Sequence, residues 1–237
     1  MNNSYFNVKN DFYEKFEVRK LKMKDLDEIT DFVIKFHTAR NPFKDIFKMD
    51  RNIYEARDVT RVKEKLKYDT SFGCYEKISG RLVAVSFATI HDKIQEPVPR
   101  TDATIGKDIP ALQYAMRFIQ YMERDLYGSL NANRIMMTGA GAVHPDYVGT
   151  GIMPAMNNHL VKLGLETNCE YIVGVTVTFY SQRACEKMGF SVLREVKYAD
   201  YIDPVTGKKP DLDLSTIHTH AKLFYYRLPS QINQSKL

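Results

Sequence analysis

The run Val143-His144-Pro145-Asp146-Tyr147-Val148-Gly149-Thr150-Gly151-Ile152 concentrates more chemistry than any other stretch of the chain. Two glycines close together, between an apolar run and an amphipathic one, make a turn whose backbone N–H groups stand at the positive end of a helix. Such a turn suits a phosphate or pyrophosphate. His144, just ahead of it, has an ordinary pKa fit for proton transfer near neutrality. His218 and His220 alternate along a later run and share one face of the expected strand, either meeting a substrate or lining a surface. The three cysteines, Cys74, Cys169 and Cys185, lack metal-ligand spacing and leave one unpaired. No metal is expected, and a reducing, cytoplasmic setting is.

A phosphate turn works only if a strand leads into it and a helix leaves it. Residues 135–143 read as that strand, rich in small residues at Thr138-Gly139-Ala140-Gly141-Ala142. Small residues there admit a ligand or a neighbouring backbone, or relieve crowding by a helix. Met153, Met156, Leu160 and Leu163 then recur on one helical face, with Pro154 tolerated in the first turn. Residues 171–177 are almost continuously apolar, as in a strand covered on both faces. Strand, helix and strand form a parallel crossover. A short helix over 181–188 follows, closed by Gly189.

The flanks complete the sheet. Residues 16–21 alternate as a strand, and Asp25 with Glu28 predicts a capping box ahead of Leu26, Ile29, Phe32, Val33 and Phe36. Pro42 stops that helix near Arg40. Residues 43–68 carry a charged helical pattern through Ile53, Val59, Val62 and Leu66, read as a surface helix. Two strands over 71–77 and 81–91 are joined by a turn at Ser79-Gly80, and a polar loop covers 91–108. Pro110 opens a helix with Leu112, Met116, Ile119, Met122 and Leu126 on one side. Strands over 191–201 and 217–228 flank a long loop with a turn at Asp203-Pro204-Val205-Thr206-Gly207. The class is α/β. One domain over 16–228 lies between a polar leader, 1–15, and a polar tail, 229–237.

Composition fits this reading. With 237 residues, 44% apolar and 27% charged, the chain can bury one large core. The net charge of +5 is modest and suits either an anionic cofactor or a lysine-rich solvated surface. No basic stripe with interleaved aromatics supports nucleic-acid binding. No run of eighteen apolar residues predicts a membrane span.

With these motifs in place, the chain resembles the GNAT superfamily of acetyl-CoA-dependent N-acetyltransferases over residues 16–228. The specific part is Val143-His144-Pro145-Asp146-Tyr147 with Gly149-x-Gly151-Ile152, followed later by Ala184-Cys185-Glu186-Lys187-Met188-Gly189-Phe190. Within that superfamily it looks most like the insect-type arylalkylamine (dopamine) N-acetyltransferases. Residues 36–43, Gly80-Arg81-Leu82-Val83-Ala84-Val85-Ser86 and the run beginning Tyr180-Ser181-Gln182-Arg183 carry that likeness.

The resemblance implies a single GNAT-like mixed sheet flanked by helices, with the parallel strand–helix–strand unit at its centre. It implies acetyl-CoA as co-substrate, its pyrophosphate held by backbone N–H groups of Val148, Gly149, Thr150, Gly151, Ile152 and Met153. The pantetheine arm would pair near Ala142 and Val143, where two central strands splay apart. The implied reaction moves an acetyl group to a small primary amine, arylalkylamines among the candidates, by direct attack in a ternary complex. The protein would be a monomer or homodimer. An acyl-CoA-binding or sensor protein on the same fold, without catalysis, is the alternative.

Several positions depart from the family pattern. Val148 and Met153 stand where the turn usually opens with Arg or Gln and closes with Gly or Ala. Asn41 stands where the insect-type enzymes place a glutamate base, and an amide cannot take that proton. Cys185 stands where many members place a tyrosine acid; it is a proton donor or a buried filler. Ser181 matches a serine of the insect enzymes and would bond the cofactor, relay a proton or cap its helix. Ser181, His144 and Cys185 are therefore the expected catalytic side chains, although the Val-His-Pro triplet is frequent in the family without a catalytic histidine. The acceptor pocket would lie between residues 36–54 and 198–215. Phe36, Phe43, Phe47, Tyr198 and Tyr201 would give it aromatic walls, with Asp200 and Asp203 attracting an ammonium.

Overall fold

A computed structural model describes residues 5–93 and 109–229. The alternating and apolar runs form seven strands: β1 (Phe16–Lys20), β2 (Phe72–Glu76), β3 (Leu82–Asp92), β4 (Arg134–Val143), β5 (Tyr171–Thr176), β6 (Ser191–Lys197) and β7 (His220–Arg227). They make one sheet in the order β1-β2-β3-β4-β5-β7-β6. Every neighbouring pair is antiparallel except β4 and β5. A parallel pair needs a crossover long enough to return the chain, and helix α7 (Ile152–Glu166) supplies it.

Side chains on successive strand residues point to opposite faces, which sorts the core. Met136 and Ile172 pack with Met156, Leu160 and Val161 of α7, while their neighbours Ile135 and Val173 join a cluster on the other side. That second face is covered by α2 (Leu26–Phe36), α3 (Phe43–Ile46), α4 (Arg51–Lys65), α5 (Pro110–Glu123) and α6 (Leu126–Leu130). Helix α8 (Phe179–Lys187) follows β5, and its Gln182 amide donates to the His220 carbonyl of β7 at 2.8 Å.

The feature that matters most lies at the sheet's centre. β4 pairs with β5 only from Ile135↔Tyr171 to Thr138↔Gly174. Beyond that point β4 stays with β3, through Ala84↔Val143, and β5 stays with β7, through Thr176↔Lys222. At the last shared pair the backbones are tight: a Cβ on Gly174 would stand 2.5 Å from the Thr138 hydroxyl and 3.3 Å from its carbonyl oxygen. β4 also bulges. Gly139 faces Phe87 and Ala142 faces Val85, so Ala140 and Gly141 oppose Ser86 alone, and Ala140 takes a left-handed φ of 58°.

Four readings need correction. The stretch read as a polar leader carries two core residues, Phe6 and Phe12, 5% and 2% exposed. Asn158 of α7 clamps the Phe6 backbone at both N–H and C=O, at 2.8 and 2.9 Å, and α1 (Phe12–Lys15) precedes β1. Two aromatics in a polar context gave no periodicity to detect. The capping box at Asp25 does not form, because Asp25 already belongs to the 3-10 turn Met23–Asp25 and bonds no helix N–H. The side-chain cap in this region is Asp50, which accepts from Asn52 and Ile53 at the start of α4. The charged segment 43–68 is not a plain surface helix: it splits into α3 and α4 and buries Tyr54, Arg57 and Asp58. Leu126 belongs to α6 rather than to α5. Residues 1–4, most of the predicted loop over 91–108 and the tail from 230 lie outside the described residues.

The aromatic cluster around Phe118 binds the second face together. Phe118 is fully buried and its ring lies 4.8 to 6.0 Å from those of Tyr201, Tyr198, Phe47 and Phe43. It thereby ties α5 to α3 and to the 3-10 turn Tyr198–Asp200 after β6. Phe118→Ala is expected to lower stability by about 3–5 kcal/mol, read as a shift in the denaturant midpoint with little change in slope.

Candidate active site

The glycine turn forms as its composition requires. Gly149 and Gly151 have φ of 82° and 93°. A Cβ at Gly149 would meet nothing within 4 Å, and at Gly151 only a Phe12 ring carbon at 3.8 Å. The backbone conformation, not lack of space, calls for glycine. Gly151 is the N-cap of α7 and offers no capping side chain. The N–H groups of Ile152 and Met153 therefore have no partner within the helix, and Pro154 has no N–H to satisfy. Together with the dipole of a 15-residue helix, they form an anion-binding end. The side chain of Val148 is 71% exposed. Thr150 pins the turn from within, its hydroxyl donating to the Tyr147 carbonyl at 2.6 Å.

Next to this turn lies the gap between β4 and β5. The His144 N–H donates to Val83 of β3 at 2.8 Å. Backbone groups alternate in direction along a strand, so the Val143 N–H points the other way, into the gap. Ala142 is buried one residue further back.

His144 is placed as a pillar. Its Nε2 accepts from the Arg81 guanidinium at 2.7 Å, and its ring packs on Phe36 and Tyr147 at 4.4 and 5.6 Å. Burial, then the Arg81 charge, hold its pKa below the ordinary histidine value. Its Nδ1 accepts from the Asp146 N–H at 3.3 Å, so both ring nitrogens already have partners. Ser181 lies at the start of α8, but the cap is Thr178, whose hydroxyl accepts from the Ser181 N–H at 3.1 Å. The two hydroxyls are 2.7 Å apart and the Ser181 hydroxyl also reaches the Thr178 carbonyl at 3.0 Å. Cys185 follows Ser181 by one turn and shares its helical face. Burial, then Glu186, push its thiol up to about 12. Proton transfer from it to an ordinary thiolate, of pKa near 8.5, is uphill.

The two late histidines separate. His218 lies before β7 and accepts the Phe179 N–H at 3.0 Å, helping to close the first turn of α8. His220 is in β7, with its Nδ1 2.6 Å from the Thr219 hydroxyl. They do not share a strand face. Asp203 is not available to an ammonium: it is fully buried, pairs with Arg117 at 2.9 Å and accepts from the Thr206 hydroxyl at 2.6 Å. Phe43 and Phe47 are core residues; Tyr198 and Tyr201 belong to the same core but also line a cleft of about 270 Å³ with Lys209, Pro210, Leu212 and Leu214. Asp200 is exposed and Phe36 half-buried. A cleft of about 210 Å³ does lie between α3 and the 213–216 loop, lined by Pro42, Asp45, Ile46, Asp213, Ser215 and Thr216. Among the described residues no group of three or more His, Cys, Asp and Glu side chains is placed to hold a metal.

Sequence reasoning missed His37. Its Nε2 is 3.3 Å from the Asn41 amide nitrogen and 3.1 Å from the Arg61 guanidinium; its Nδ1 is 3.4 Å from the Gly141 carbonyl of the β4 bulge. Asn41 is held by its Oδ1, which accepts from the Phe43 N–H at 3.0 Å. Arg61 in turn pairs with Asp58 at 2.9 Å, and the Thr38 hydroxyl donates to Asp58 at 2.7 Å. Burial works to raise the Asp58 pKa, but Arg61, His37 and Arg57, with the Thr38 hydroxyl, outweigh it and leave it below the usual carboxylate value. The only sequence signal was spacing: His37 with Asn41 four apart, and Asp58 with Arg61 three apart.

Burial and the Arg61 charge lower the His37 pKa from 6.5 to about 4. A depressed histidine pKa means that the unfolded chain binds the proton more readily, so acid favours unfolding. The contribution is complete above pH 6.5 and is lost as pH falls toward about 4. His37→Asn should remove this part of the pH dependence. Denaturant unfolding of both proteins at a series of pH values between about 4 and 7 measures it, and parallel pH curves would contradict it.

No family model matches the sequence, and no curated protein matches it. Solved structures do. A Drosophila melanogaster polyamine N-acetyltransferase that forms N-acetylagmatine superposes with a TM-score of 0.78 at 16% identity, covering 90% of this chain and 100% of its own. Arylalkylamine N-acetyltransferase 2 from Aedes aegypti gives 0.71 at 15% identity, over 90% and 99%. Arabidopsis thaliana NAA60 in complex with acetyl-CoA gives 0.51 at 15% identity, over 90% and 98%. The mixed seven-stranded sheet, its single parallel pair and these superpositions agree: the chain has the fold of the GNAT N-acetyltransferases.

Proposed function

We propose that this protein is a cytoplasmic, acetyl-CoA-dependent N-acetyltransferase whose acceptor is a small primary amine, attacked directly in a ternary complex. The parting of β4 from β5 beside the glycine turn carries this reading. An extended pantetheine arm, with its two amides, can pair with the free edge of β4 near Ala142 and Val143 as an added strand would. The pyrophosphate then meets the turn from Val148 through Gly149, Thr150, Gly151 and Ile152 to Met153; the Val148 and Thr150 N–H groups donate within the turn, to Pro145 and Tyr147, so the uncapped donors are those of Ile152 and Met153. Backbone donors do this work, so the unusual Val148 and Met153 side chains do not prevent it.

Acetyl-CoA supplies a thioester whose carbonyl carbon accepts the amine lone pair, with the C–N bond forming as the C–S bond breaks. The Val143 N–H faces the gap and can donate to the carbonyl oxygen as it gains charge. Ser181, backed by the Thr178 hydroxyl, is the side chain we assign to cofactor contact and to moving a proton at the mouth of the gap. His144 supports the turn, and Cys185, with its high pKa, fills the α8 face. The acceptor classes favoured are those of the structural neighbours, arylalkylamines and polyamines such as agmatine.

A second reading, acyl-CoA binding without turnover, draws support from Asn41 at the position of the family's base and from the high Cys185 pKa. Thiol detection of released CoA, over a panel of arylalkylamines and polyamines, separates the two. Saturable release that needs both substrates, with intersecting double-reciprocal lines, is expected. Parallel lines would indicate a covalent acetyl-enzyme instead of direct attack. Calorimetric binding of acetyl-CoA with no release for any amine would favour the second reading. Gly151→Ala should lower stability by about 1–2 kcal/mol through left-handed strain and weaken acetyl-CoA binding. An unchanged dissociation constant would remove the turn from the cofactor site.

A further inference from the structure

The β4 bulge is held from outside the sheet by a residue given no part in the reaction above. Ala140 adopts a left-handed φ of 58°, a conformation that an L-residue keeps only where its surroundings over-determine it. The next residue, Gly141, offers its carbonyl to His37 Nδ1 at 3.4 Å. At Nε2 the ring meets the Arg61 guanidinium at 3.1 Å and the Asn41 amide nitrogen at 3.3 Å. The Asn41 orientation is set by its Oδ1, which accepts from the Phe43 N–H. Both groups at Nε2 are donors, so Nε2 carries the lone pair and Nδ1 the proton. The ring therefore donates to Gly141. Asp58, fully buried and 2.9 Å from Arg61, keeps that guanidinium in place.

We propose that His37 is a positioning residue for acetyl transfer: its Nδ1–H locks the Gly141 carbonyl and so the bulge that aims the Val143 N–H into the gap between β4 and β5. The role rests on the acetyltransferase reading for its effect on rate, though not for its effect on the bulge. His37 is not the base in this arrangement, because its lone pair is committed to Arg61 and Asn41. The low pKa set by the same surroundings keeps the ring neutral at physiological pH. The chain from Asp58 through Arg61 and His37 to Gly141 joins α4, the end of α2 and β4, three elements that must hold one geometry if a backbone N–H is to meet a reacting oxygen.

Two substitutions separate donor from ring. His37→Asn places an amide N–H near the position of Nδ1–H, and His37→Phe keeps the ring without a donor. The first measurement is amide hydrogen exchange, without ligand, in a peptide spanning residues 136–145. Exchange there should rise on the order of tenfold in H37F and stay within about threefold of wild type in H37N, with α7 peptides unchanged in both. With the most active amine of the panel, kcat should fall roughly 10- to 100-fold in H37F, with KM for acetyl-CoA within about threefold, and H37N should recover most of the loss. Should H37F fail to fold, His37→Leu, which also lacks a donor and is less bulky, replaces it in both measurements. Unchanged exchange in H37F would overturn the proposal. So would an H37N as slow as H37F, with loss of the acidic limb of the kcat profile, since that marks the ring as the base. If wild type turns over no amine, the acetyltransferase reading fails, while the exchange result still decides whether His37 holds the bulge.

Discussion

Two central strands that part halfway along their length set the conditions for the rest of the molecule. After Thr138 and Gly174 the β4–β5 ladder stops, and backbone groups on the facing edges lose their partners. Left buried without hydrogen bonds, each such group would cost about 1–3 kcal/mol, so the gap must stay open to water or to a ligand. The surrounding structure answers that requirement. β3 holds β4 on one side and β7 holds β5 on the other. The parting is held open by pairings elsewhere.

Among the described residues the fully buried carboxylates are Asp58 and Asp203. Asp58 lies beneath the end of α2, among Arg61, Arg57 and the Thr38 hydroxyl. Asp203 anchors the long segment between β6 and β7 to α5 through Arg117. The same segment is fastened to α3 by the Asp213 N–H on the Ile46 carbonyl at 2.8 Å. Buried ion pairs contribute little net stability against apolar packing, yet losing one partner is expensive. Their positions suggest that geometry is what they secure: a fixed bulge on one side and a fixed loop on the other.

This arrangement also separates the two halves of the chemistry. In the proposed reaction cofactor recognition falls to main-chain groups, which tolerate Val148 and Met153 because their side chains are not the donors. Proton handling depends on side chains, and here Asn41, Cys185 and His144 are each tied up or wrongly tuned. In the proposed reaction the side chains left for proton transfer are the paired hydroxyls of Thr178 and Ser181.

The positions of the strands along the chain, the crossover helix and the glycine turn were legible from residues 16 to 228 because each depends on neighbours a few positions away. Apolar spacing at Met156, Leu160 and Leu163 marks α7, and Gly149 and Gly151 mark a backbone that other residues resist. What could not be read depends on residues far apart in the chain. Phe6 joins the core through Asn158, 152 positions away, and its polar flanks hide it. His37 meets Gly141 across 104 positions, so a histidine at the end of an ordinary amphipathic helix gives no sign of its partner. Thr178 displaced Ser181 as the cap of α8 because the strand ends at Thr176, a boundary that apolar patterning leaves uncertain by a few residues. The sequence by itself determined the fold class and the glycine turn, since local propensity and periodicity are written in consecutive residues. Only tertiary structure decided which side chains reach the opening between β4 and β5, because that depends on how separate elements pack and which polar groups they leave to satisfy one another.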